Sequence, residues 1–164
     1  MINMIKIKEF EEKYTKQISE IIIRNLLEIN SKDYGIEKVK EMAKEFEVRN
    51  LNEKLKKRQK VYVALDDKEV VGTAGIDKSW YSDDEYWILT VFVKPENQGH
   101  NIGRSLINKI EEYAKQLQIK KLVIPASITA HQFYYKLGYR YKNRKKELNE
   151  EDMYIMEKEI PNSF

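Results

Sequence analysis

The stretch "FVKPENQGHNIGRSL", Phe92 to Leu106, is where the residue types and their spacing could do chemistry. An apolar strand runs into Pro95, the chain turns through Gly99, Asn101 and Gly103, and an amphipathic helix starts at Ile102. A helix N-terminus leaves main-chain N–H groups without intrahelical partners, and the helix dipole adds partial positive charge there. Glycines just before it let the chain curl tightly and let a ligand approach the backbone. Strand, glycine-rich turn and helix can therefore cradle a phosphate or pyrophosphate. Asn101 is compatible, because asparagine tolerates a positive φ better than other non-glycine residues. The turn is not a Walker A loop, since no Gly-Lys-Ser/Thr follows, and Gly99 and Gly103 have the wrong spacing for a G-x-G-x-x-G fingerprint. On its own it reads equally well as an ordinary strand-to-helix turn in which Gly103 permits close packing.

Composition narrows the chemistry further. The 164 residues suit one domain, 1–164, with a sizeable core. A hydrophobic fraction of 41% argues against disorder. Thirty Lys+Arg against 27 Asp+Glu leave a net charge of +3, short of the basic face of a nucleic-acid binder. Two basic runs, Glu53–Lys60 and Arg140–Lys146, read as solvated faces. With no cysteine, disulfides, thiolate metal sites and a covalent Cys nucleophile are excluded. His100 and His131 lack ligand spacing, so no metal is expected. No apolar run approaches a membrane span, and "MINMIKIKEF" reads as a charged strand rather than a signal peptide, which makes a cytoplasmic protein the expectation.

The elements that must position the turn follow from periodicity. "MIKIKEF" alternates as a half-buried first strand. Apolar positions from Lys13 to Ile29 fall at helical spacing, with Asn25 as the polar exception. "NSKDYG" (Asn30–Gly35) reads as a loop, Val39–Phe46 as a second helix and Leu51–Lys57 as a short third. "VYVALDDKEVVGTAGID" predicts a hairpin and "EYWILTVFV" a longer strand that Pro95 ends. Helix Ile102–Leu117 is followed by strand "KKLVIPAS" and a short helix "TAHQFYYKLG" closing at Gly138. "YRYKNRKKEL" and "DMYIMEKEI" form a closing antiparallel pair. The order predicts an α/β domain built on a mixed, mostly antiparallel sheet.

A second block changes the weight given to the turn. "VFVKPENQGHNIGRSL" together with "PASITAHQFYYKLGY" resembles the GNAT superfamily of acyl-CoA-dependent N-acetyltransferases. The matching residues are Val93-Lys94-Pro95, then Gln98, Asn101 and Gly103, then Tyr134-Tyr135-Lys136-Leu137-Gly138-Tyr139. Asn101 stands where the family usually has glycine, and Ser127 where many members have asparagine. The resemblance implies a twisted sheet of about seven strands flanked by about four helices and splayed at the fourth strand.

It also implies a chemistry. Main-chain amides from Gly99 through His100, Asn101, Ile102 and Gly103 to Arg104, with Gln98 beside them, would hold the pyrophosphate of acetyl-CoA, and Ser127 would touch the cofactor. The pantetheine arm would add like a strand at Val91, Phe92 and Val93, where a free N–H polarises the thioester. The acetyl group would pass directly to a primary amine of a small molecule, protein or peptide. Tyr134 matches the family's tyrosine near the departing sulfur. A phenol of ordinary pKa about 10 can donate to a thiolate of about 8.5. Tyrosines of an "FYY" helix also serve as core or boundary residues, and motif position favours the acid. No base is identified: Glu85 reads as a strand-end carboxylate and His131 as a surface histidine. The segments Asn30–Gly35 and Asp77–Tyr86 would wall the acceptor site. A homodimer enters by analogy alone. A non-catalytic acyl-CoA-binding regulator is the alternative.

Overall fold

The computed structural model describes residues 4–161. Strand β1 (Ile5–Glu9) leads into helix α1 (Thr15–Asn25), whose last turn widens into a π-helical segment, Leu26–Asn30. Short helix α2 (Ser31–Tyr34) and helices α3 (Ile36–Ala43) and α4 (Val48–Lys57) follow. Three strands come next, β2 (Lys60–Asp66), β3 (Glu69–Lys78) and β4 (Glu85–Val93). The chain then forms helix α5 (Ile102–Gln116), strand β5 (Lys121–Ala126), helix α6 (His131–Lys136), and strands β6 (Arg140–Tyr141) and β7 (Tyr154–Glu159). The seven strands make one sheet in the order β1-β2-β3-β4-β5-β7-β6, and β4–β5 is the parallel pair created by the α5 crossover.

Two apolar layers sandwich the sheet. On one face Ile102, Leu106, Ile107 and Ile110 of α5 pack with Tyr62, Ala74, Ile76 and Ile88. On the other, Ile18, Ile22 and Leu26 meet Leu51, Leu55, Val61, Val63 and Val70. The central strands β2 and β3 are buried on both faces and so read as continuous β-branched runs.

Several expectations need correcting. Asn30–Gly35 is not a loop: Ser31–Tyr34 is helical and stops at Gly35, where φ is +84°. The closing pair is shorter than its pattern suggested. Only Arg140–Tyr141 pairs with β7, and Lys142–Arg144 turns away with Asn143 and Arg144 at positive φ, leaving an isolated bridge from Leu148 to Tyr154. Helix α5 ends at Gln116 rather than Leu117, which is exposed, and its buried stripe includes Ile107. Met1–Asn3, at the head of the first-strand stretch, lie outside the described residues.

Candidate functional site

The parallel pairing of β4 with β5 covers only Glu85–Trp87 against Lys121–Val123. Past that point β5 continues to pair with β7 as far as Ala126, while β4 runs on to Val93 without a partner on that side. The two strands thus open into a wedge. What bends β4 away is a bulge against β3. Thr73 pairs with Phe92 and Gly75 with Leu89, so two steps on β3 face three on β4. The extra residue is accommodated at Thr90, whose φ is +58°. For a β-branched side chain that is a strained conformation costing about 1–2 kcal/mol. Arg58 Nη2 donates to Thr90 Oγ1 at 3.4 Å, and Arg58 Nη1 lies 3.4 Å from Asp77 Oδ2, a pair that braces the bulge from the α4 side.

Val91 and Val93 line the opened edge. Lys94 N–H donates to Val71 O of β3, so the alternation of an antiparallel ladder turns the Val93 main chain toward the wedge. The Val93 carbonyl is already engaged there, accepting from Asn25 Nδ2 at 2.9 Å and Gln98 Nε2 at 3.3 Å. Phe92 points into the α1–α4 core, edge-on to Phe46.

The glycine-rich turn follows directly after β4 and Pro95. Gly99 has φ +84° and Asn101 sits in the left-handed region at φ 62°, ψ 13°, the geometry its residue type allows. The Asn101 carbonyl receives the first α5 bond, from Ser105 N at 3.0 Å. Among the described residues, the amides of Gly99, His100, Asn101, Ile102, Gly103 and Arg104 donate to nothing within the protein. His100 and Arg104 are exposed and Ile102 is buried as the first apolar anchor of α5. Gly103 makes room for Phe133 of α6, whose Cζ would stand 3.0 Å from an added Cβ.

That contact brings α6 alongside the amide row. Tyr134, next to Phe133, is 6% exposed and lies edge-on to both Phe133 and Tyr139. Burial pushes its phenol well above the ordinary tyrosine value. Ser127 sits at the turn before α6: its Oγ accepts from Ala130 N at 3.1 Å, leaving the hydroxyl proton to donate. His131 is not on the surface. It is 7% exposed, with Nδ1 2.7 Å from Tyr141 Oη and its ring 4.5 Å from that of Tyr154, and burial followed by the charge of Lys146 lowers its pKa. Glu85 accepts from Tyr81 Oη at 2.9 Å, at the closed end of the wedge. In the Asp77–Tyr86 segment Asp83 pairs with Lys78 at 2.8 Å, which holds its carboxyl below the usual range.

The sequence flagged Asn25 only as an exception and gave no role to Thr90 or Arg58. The one signal for Thr90 lay in strand pairing, which a single chain pattern does not reveal.

The profile of the acetyltransferase (GNAT) family matches residues 23–139, more than half of the chain and the span that holds the bulge, the amide row and Tyr134. The chain belongs to this family. Among solved structures it is similar to the PaiA N-acetyltransferase of Thermoplasma acidophilum in complex with coenzyme A, at 18% identity and TM-score 0.81 over 95% of this chain and 99% of that one. A GCN5-related N-acetyltransferase (aminotransferase, class-II) from Rhodopseudomonas palustris gives 20% identity and TM-score 0.78 over 97% and 98%. An acetyltransferase of the GNAT family from Staphylococcus aureus gives 17% and 0.74 over 96% and 100%. At these identities the structures share the fold, and the seven-stranded sheet splayed at β4 is the GNAT sheet. No curated protein sequence matches.

Proposed function

We propose that this protein transfers an acetyl group from acetyl-CoA to a primary amine of a small molecule, protein or peptide, directly and in a ternary complex. The observation that carries the reading is the row of undonated amides from Gly99 to Arg104, set at the mouth of a wedge that a strained bulge holds open. Six N–H groups with no partner among the described residues suit a pyrophosphate, and the dipole of the 15-residue α5 favours its charge. The similar PaiA structure contains coenzyme A, which supports the same choice here.

Along the wedge, the free edge of β4 at Val91 and Val93 receives an extended pantetheine arm as a sheet edge receives a strand. Since the Val93 carbonyl is bound by Asn25 and Gln98, the Val93 N–H and the Val91 main chain are the groups available to the arm. An N–H at the bulge polarises the thioester carbonyl and stabilises the oxyanion. The neutral amine attacks the carbonyl carbon, the C–N bond forms, the C–S bond breaks, and Tyr134 gives its proton to the departing sulfur. The proton that the amine loses passes to solvent, and solvent returns one to the Tyr134 phenolate, which burial strongly disfavours. Burial keeps Tyr134 protonated until that moment. With no cysteine in the chain, no acyl-enzyme thioester intervenes.

Isothermal titration with acetyl-CoA and CoA tests the reading, together with a thiol-release screen over polyamines, amino acids, aminoglycosides and peptides. Binding at micromolar ligand with thiol release on one amine class is the expected result. No binding at millimolar ligand overturns it. Binding without release on any amine identifies an acyl-CoA-binding regulator instead.

A further inference from the structure

The polar exception on the apolar face of α1, Asn25, is 4% exposed and sits at a junction of three elements. Its Nδ2 donates to the Ile21 carbonyl and to the Val93 carbonyl, both at 2.9 Å. Its Oδ1 accepts from Gln98 Nε2 at 3.0 Å. Next to it, Arg24 holds Glu96 at 2.9 Å and Glu28 at 2.8 Å. Two adjacent residues at the end of α1 thus grip the turn at Val93, where β4 ends, at Glu96 in the short helical turn, and at Gln98, where the amide row begins.

Packing alone would favour leucine at position 25, because its neighbours Ile18, Ile21 and Ile22 on α1 and Leu26 just after it are apolar and buried. An asparagine there is tolerated only because its polar atoms are bonded, the donors to the Ile21 and Val93 carbonyls and the acceptor to Gln98. Directly after Asn25 the helix opens into the π segment Leu26–Asn30, an irregularity frequent at functional sites. That segment leads to Asp33 of α2, whose carboxylate accepts from Thr129 Oγ1 at 2.7 and 2.8 Å and from Thr129 N at 3.2 Å. Thr129 lies just past β5, on the other arm of the wedge. Two hydrogen-bonded contacts joined by the helical backbone of Leu26–Tyr34 therefore link Gln98, just before the amide row, to Thr129 on the far side of the opening.

We infer that Asn25 is a positioning residue that sets the geometry of the amide row and couples its occupation by coenzyme A to the Leu26–Tyr34 wall. The inference rests on the proposed acetyl-CoA reading. Coupling of this kind is reciprocal: whatever steadies the wall also favours cofactor.

The test uses CoA itself on the full chain, with titration calorimetry and amide hydrogen exchange. Asn25→Asp keeps the size of the side chain but has no donor for Val93 or Ile21. It should weaken CoA by about tenfold, and the slowing of exchange over Leu26–Tyr34 that CoA produces in the wild type should disappear. Gln98→Ala alters an exposed residue and leaves α1 intact, so it reads the same path if Asn25→Asp fails to fold. It should weaken CoA severalfold and shrink the same protection, and where both variants fold, the double variant should be no weaker than Asn25→Asp alone. Wild-type affinity and an unchanged exchange pattern in Gln98→Ala, or in Asn25→Asp, overturn the coupling. If the wild type itself binds no CoA, the acetyltransferase reading falls and takes this inference with it.

Discussion

Gly103 and Phe133 pack closely enough that an added Cβ at 103 would meet Phe133 Cζ at 3.0 Å. This contact between the first turn of α5 and helix α6 keeps the amide row and Tyr134 in one neighbourhood. Replacing Gly103 by alanine gains up to about 1 kcal/mol of helix propensity and displaces a half-exposed ring. The expected outcome is a melting temperature close to wild type and a CoA affinity reduced by about tenfold, read by calorimetry. Adding Phe133→Ala should relieve the clash without restoring affinity. An unaltered Kd in Gly103→Ala would show that ligand does not approach this backbone.

Tyr134→Phe should lower kcat by about a hundredfold while changing CoA affinity less than about twofold. Since burial raises the Tyr134 phenol above its ordinary value, the donor proton is held throughout neutral and mildly alkaline pH. The kcat profile should therefore show no alkaline loss from this group below about pH 10. Thiol release by the variant at wild-type rate removes Tyr134 from the chemistry.

Thr90 pays for the bulge with a positive φ, and the two substitutions at this site should separate strain from function. Thr90→Gly removes about 1–2 kcal/mol of strain and adds about as much unfolded-state entropy. Its melting temperature should stay near wild type while kcat falls, because the bulge no longer holds one shape. Thr90→Val keeps the branch and the strain but loses the acceptor of Arg58, so it should be less stable by about 1 kcal/mol. Thermal melts and thiol release give both readings. Full activity in Thr90→Gly would deny the bulge a catalytic purpose.

His131 supplies a pH dependence of stability. Its pKa is lowered by burial and then by Lys146, so the folded state resists a proton that the unfolded chain accepts. Stability from this residue is complete above the ordinary histidine value of about 6.5 and falls as pH drops below it. The melting temperature should decline between about pH 7 and pH 5 more steeply in the wild type than in His131→Gln. Parallel slopes for the two proteins would contradict the burial argument.

How much of this was legible in the sequence depends on the range of the interactions involved. The strands, the long helices and their order follow from periodicity, because a period of two or 3.6 is written in neighbouring residues. The turn at Gly99–Gly103 is equally local: glycine and asparagine types permit the positive φ values at Gly99 and Asn101, and a helix N-terminus always offers N–H groups. Asn30–Gly35 misled because its polar, glycine-ended composition suits a loop, yet Ser31–Tyr34 is held as a helix through Tyr34 and Asp33, which bond residues 118 and 96 positions away. His131 misled for a similar reason. A short helix says nothing of the Tyr141 and Tyr154 rings that cover its histidine.

By itself the chain determined a mixed α/β sheet, a glycine-rich strand-to-helix turn and the tyrosine helix beyond it. Only the tertiary structure decided that β4 and β5 part after Trp87, that Thr90 absorbs an extra residue, and that Asn25 ties α1 to Gln98 across 73 positions. The physical reason is that bulge, wedge and polar junction exist between elements, where the energy lies in pairings of distant residues that no local pattern encodes.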